Sequence, residues 1–63
     1  MFIHFTTQYG NNVAYNADKI RHISQISGRI YIQSKADEDH YDFDNEKTAI
    51  DTFEFILAQL KEA

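Results

Sequence analysis

From Asn45 to Ala63 the chain places Ala49, Ile50, Phe53, Ile56, Leu57 and Leu60 at three- and four-residue steps. That spacing predicts an amphipathic helix. At 100° per residue these side chains fall within about a third of the helix circumference. A helix with one apolar stripe must bury it against another layer. Everything before Asn45 is therefore read as the surface that receives it. Asn45 is placed as the N-cap, its side-chain oxygen ready to accept a free amide hydrogen of the first turn. Phe55 breaks the pattern and points almost opposite to the stripe. It is a candidate anchor for a partner or for a second copy, although singly exposed apolar residues are common and often serve nothing.

The receiving surface reads as strands. Phe2-Ile3-His4-Phe5-Thr6 alternates, with Ile3 and Phe5 expected inward and Phe2, His4 and Thr6 outward. Gln8 to Asn12 is a turn, because Gly10 and its asparagines tolerate positive φ. Val13-Ala14-Tyr15 returns as a short strand, and Asn16-Ala17-Asp18-Lys19 reads as one capped turn. Ile20, Ile23 and Ile26 recur every three residues, which permits a helix. Their β-branching and the following Ser27-Gly28 favour a bend, a strand and a tight hairpin. Ile30 and Ile32 face inward on the next strand, with Tyr31 and Gln33 outward. A charged loop runs from Lys35 to Asp39. His40 to Asp44 then alternates, with Tyr41 and Phe43 on one face and His40, Asp42 and Asp44 on the other. The expected fold is α+β: a single domain with a small antiparallel β-meander of four to five strands packed on one C-terminal amphipathic helix.

Sixty-three residues bury too little surface to be very stable alone. With no cysteine, disulfides and thiolate metal sites are excluded. Good packing or self-association must supply the stability, and a homo-oligomer is expected. No apolar run is long enough to span a membrane. Met1 opens directly onto a strand-like segment without the features of a signal peptide, so a cytoplasmic protein is expected. The net charge of −4 is unevenly distributed. Residues 1–35 carry Lys19, Arg21, Arg29 and Lys35 against Asp18, a balance of +3. Residues 36–63 balance at −7. This segregation marks an anion-binding face beside an acidic one, or head-to-tail association, or simply a well-solvated helix.

Four constellations bear on chemistry. The acidic run from Asp37 to Glu46 resembles the start of a calcium loop but lacks its Gly and distal Glu. A divalent ion on His40, Asp42 and Asp44 is weighed against a solvated hairpin edge, and no metal or cofactor is expected. His4, His22 and His40 lie on separate strands and are expected to gather on the open sheet face. No nucleophile–base spacing accompanies them, so no enzymatic activity is expected. Phe2, His4, Arg21, His22, Arg29 and Tyr31, with Gln33, would give that face an aromatic and basic character suited to a small anionic ligand or nucleotide. The negative overall charge argues against a nucleic-acid polymer. The competing expectation is that Phe2 and Tyr31, with Phe55, are covered in an oligomer.

Phe5-Thr6, Gly10-Asn11, Asn16-Ala17, Ile20 and Ile23, followed by a strand hairpin and a terminal helix, give a layout that resembles FlbD-type small flagellar proteins. The resemblance covers most of the chain in pattern but only its first half in residues. It departs at the acidic loop Lys35 to His40, where that family tends to have a tighter Gly-containing turn. It implies a cytosolic bacterial accessory protein and carries no functional site. The leading expectation is a small non-enzymatic interaction module that self-associates and regulates or inhibits a partner protein, for example as a phage antagonist of host defence. A binder of a small anionic ligand or nucleotide is the alternative, and a flagellar accessory protein a further one.

Overall fold

A computed structural model describes residues 1–62. The elements are β1 (Phe2–Thr6), β2 (Asn12–Asn16), a 3₁₀ turn (Ala17–Lys19), β3 (Ile20–Ile26), β4 (Arg29–Ser34), β5 (Glu38–Asp42) and α1 (Glu46–Lys61). This is the expected α+β class, with five antiparallel strands and one C-terminal helix. The strands divide between two sheets. β1 and β2 form a two-stranded hairpin, and β3, β4 and β5 form a three-stranded meander. The break falls at the 3₁₀ turn, where the Asn16 side chain accepts from the Asp18 amide and ends the second strand.

Each hairpin turn has its own local cause. At the first, Gly10 takes a φ of +82°, and the Thr7 carbonyl and hydroxyl gather the amides of the loop. At the second, the left-handed residue is Ser27, with a φ of +53°, rather than Gly28. Gly28 is needed for close approach: a Cβ there would stand 2.9 Å from the Phe43 carbonyl oxygen. β3 is a strand, as its β-branching predicts, and the expected bend is a bulge. Ile20 pairs with Ser34 and His22 with Gln33, which leaves Arg21 as the extra residue. β5 begins earlier than the alternation predicts, so the charged loop shortens, while Phe43 and Asp44 lie beyond the strand.

Ile3 and Phe5 of β1, Ile30 and Ile32 of β4, Phe43, and Ala49 and Ile56 of α1 form the buried core. No backbone hydrogen bond joins the two sheets among the described residues. Side chains join them instead. The Phe5 ring stacks on Tyr15 at 6.4 Å and meets Tyr41 edge-on at 5.1 Å. The Tyr15 hydroxyl donates to Asp39 Oδ2 at 2.8 Å. Its single hydrogen is thereby used, so the Tyr41 hydroxyl donates to it, at 2.5 Å. Burial, and then the bonds with Tyr41 and Asp39, hold the Tyr15 phenol well above its ordinary range.

α1 is capped as expected: Asn45 Oδ1 accepts from the Thr48 amide and hydroxyl, both at 2.8 Å. Its seating differs from the centre of the apolar stripe. Ala49 and Ile56 are fully buried, but Ile50, at the far margin, is 37% exposed. The helix is rolled toward its Gln59 flank. There the Gln59 side-chain amide accepts from the His4 amide at 2.9 Å and donates to the His4 carbonyl at 2.8 Å. One side chain thus completes the free edge of β1 as a neighbouring strand would.

Gln59→Ala removes both bonds and should cost about 1–2 kcal/mol in denaturant unfolding, with loss of hydrogen-exchange protection at the His4 amide. Tyr15→Phe tests the join between sheets. A phenol whose pKa is raised on folding contributes stability below its unfolded pKa, near 10, and loses it as pH rises further. The variant should therefore be less stable at neutral pH, and its melting temperature should decline less than the wild type's above about pH 10.

Candidate functional site

The uncovered face of the β3–β4–β5 sheet follows from its register. Residues opposite one another in an antiparallel pair share a face. Ile26, Arg29 and Asp42 form one row, Ser24, Tyr31 and His40 the next, and His22, Gln33 and Glu38 the third. Arg29, Tyr31 and His22 therefore share a surface, as the alternation predicts. Arg29 is engaged. Its Nε lies 2.5 Å from Asp42 Oδ1 and its Nη2 3.3 Å from Oδ2. The guanidinium also sits 5.8 Å from the centre of the Tyr31 ring. The hydrogen bonds from Arg29 hold the Asp42 carboxyl below its ordinary range. The same pairing holds the Arg29 proton more tightly still. The face is thus nearly balanced in charge, with Tyr31 between Arg29 and His40, whose ring lies 6.3 Å away.

Phe2 and His4 do not belong to this surface. They lie on β1, in the other sheet, whose inner face carries Ile3 and Phe5. The expected gathering of His4, His22 and His40 is corrected accordingly: His22 and His40 share the outer face of the larger sheet, and His4 is elsewhere. The division at the 3₁₀ turn is the reason. His4 also does not point clear of the helix, because the Phe55 ring meets it edge-on with centroids 5.6 Å apart. Phe55 lies on the Gln59 flank of α1, so the roll of the helix brings this residue beside β1. Phe55 remains 48% exposed and Phe2 66%. Phe2 and His4 occupy alternate positions of one strand and Ala14 pairs opposite His4, so Phe2, His4 and Ala14 share the outer face of the hairpin, beside Phe55.

Arg21 stands apart from both surfaces. The bulge carries it to a cleft of about 690 Å³ at the end of the larger sheet, shared with Lys19 and Lys35. Neither lysine stands out from local pattern; the available signal was the +3 balance of residues 1–35. The acidic run is dispersed. Asp39 bonds Tyr15, Asp42 pairs with Arg29, and Asp44 lies past β5. Among the described residues no group of three or more His, Asp or Glu side chains is placed to hold a metal ion. Among the described residues no helix is long and apolar enough to cross a membrane.

Compared with protein-family models, curated proteins and solved structures, the chain finds no match. Several residues on which the expected FlbD-type layout rests are framework residues here. Gly10 makes the first turn, Asn16 caps the 3₁₀ turn, and Ile20 and Ile23 pack against the core.

Arg29→Gln should raise the Asp42 carboxyl toward the ordinary value of about 3.9, read by carbon-detected NMR titration. The wild-type pair stabilises the fold above the unfolded carboxylate pKa and loses that effect as pH falls through the lowered one. The variant should show a weaker acid dependence of stability.

Proposed function

We propose that this protein is a non-enzymatic interaction module that pairs with a second copy of itself and regulates or inhibits a partner protein through its remaining surface. The observation that carries this reading is the strip of Phe2, His4 and Phe55. Two large aromatic side chains stand well exposed there, while among the described residues the buried core holds seven. Exposed aromatic surface on so small a domain favours association. A twofold pairing sets the same strip against itself. The Phe2 rings then gain burial that the monomer core does not offer, at little conformational cost for an aromatic side chain. A specific interface of roughly 1,000 Å² in total takes a small share of the 4389 Å² that each copy exposes. The outer face of the larger sheet, with Tyr31 at its centre, stays open for the partner.

Gln59 holds the His4 backbone. That histidine is a wall of the strip, packed by its ring against Phe55.

Sedimentation equilibrium at micromolar concentration tests the proposal. The wild type should sediment as a dimer. Phe2→Ser with Phe55→Ser should sediment as a monomer, with an unchanged circular dichroism spectrum and a Kd raised about a thousandfold or more, since a twofold interface loses four anchors, two from each copy, of about 1–2 kcal/mol each. A wild type that is monomeric at these concentrations, or a double variant that associates equally well, would overturn it.

A further inference from the structure

The cleft at the end of the larger sheet gathers three cations that, among the described residues, enter no ion pair. Among the described residues the ion pairs are Arg29–Asp42 and Lys47–Asp51. Lys19, Arg21 and Lys35 have no carboxylate partner, and all three line the same cleft. They come from two separate segments, the 3₁₀ turn with the β3 bulge, and the loop after β4.

Both walls are held in place by local bonds. On one side Asn16 accepts from the Asp18 amide at 3.1 Å, and the Ala17 amide donates to the Met1 carbonyl at 2.8 Å. On the other, the Ser34 amide and hydroxyl both donate to the Asp37 carbonyl, at 2.8 and 3.1 Å, closing the loop that presents Lys35. The cations are thus offered from ordered backbone, which lowers the entropic cost of binding.

We propose that this cleft binds a small phosphomonoester through Lys19, Arg21 and Lys35. Arg21 supplies a planar fork suited to two phosphate oxygens, and the lysines supply point charges on either side. Asp18 and Asp37 also line the cleft. They reduce its local balance to +1, which disfavours a polyanionic strand and long-range attraction to nucleic acid. The same carboxylates accept from hydroxyl groups next to the phosphate. A sugar phosphate or mononucleotide satisfies both halves of the cleft; inorganic phosphate satisfies one. This site is independent of the aromatic strip, so its failure leaves the self-association proposal standing.

NMR titration of the full chain at low ionic strength, with ribose 5-phosphate, AMP, inorganic phosphate, ribose and a short single-stranded oligonucleotide, tests the assignment. Ribose 5-phosphate should shift the amides of residues 18–21 and 34–37 and saturate with a Kd on the order of 1 mM or tighter. Inorganic phosphate should bind the same residues more weakly, and ribose should not bind. AMP binding tighter than ribose 5-phosphate, with the same pattern, identifies a mononucleotide; equal binding identifies the sugar phosphate. Arg21→Gln, at an exposed position, should raise the Kd about tenfold, whereas Lys47→Gln on the helix should leave it unchanged. Shifts that do not saturate, equal weakening by Lys47→Gln, equal affinity for inorganic phosphate, or tighter binding of the oligonucleotide would each overturn the proposal.

Discussion

The two sheets of this fold share no backbone ladder among the described residues, so side chains must hold them in register. A small set does this. Phe5, Tyr15 and Tyr41 pack as three rings, and Asp39 closes the network by accepting from Tyr15. Aromatic pairs of this kind contribute about 0.5–1.5 kcal/mol each beyond the area they bury. In a domain whose total stability is a few kcal/mol, that contribution decides how the sheets are oriented. The positions of every outer surface follow from it.

The helix makes the second join. Gln59 bonds both backbone groups of His4, and that polar contact rolls α1 toward β1 and away from the centre of its apolar stripe. Two surface features follow together. Ile50 is partly uncovered on one flank, and Phe55 comes to lie against His4 on the other. A side-chain amide that replaces a missing strand also blunts β1 as an edge for unwanted pairing. The basic residues show a similar division of labour. Arg29 is engaged by Asp42, while among the described residues Arg21, Lys19 and Lys35 enter no ion pair, although Asp18 and Asp37 line the same cleft.

Much of the local structure was legible in the residues. Ser27-Gly28 announced a hairpin, Asn45 a cap, Asn16 to Lys19 a single turn, and the alternation of Ile30 to Gln33 an inward and an outward face. These depend on backbone propensity and period, which act over a few residues. The division into two sheets was not legible, because nothing in the alternation of β2 and β3 says whether they pair. The grouping of Phe2 and His4 with Tyr31 failed for that reason. Of the candidate site residues, His22, Arg29 and Tyr31 share a face, Phe2 and Phe55 share another with His4, and Arg21 belongs to neither. Lys19 and Lys35 were visible only as part of a charge balance.

The sequence by itself determined the α+β class, the strand and helix segments, the inward-facing isoleucines and the uneven distribution of charge. Each is set by local sterics, side-chain period or composition, and needs no partner from afar. Tertiary structure alone decided which charges are neutralised, how the helix is rolled, and which aromatic residues meet. Those outcomes depend on contacts between different elements, from Arg29 with Asp42, 13 positions apart, to His4 with Gln59, 55 apart, whose geometry exists only after the sheets and helix have packed.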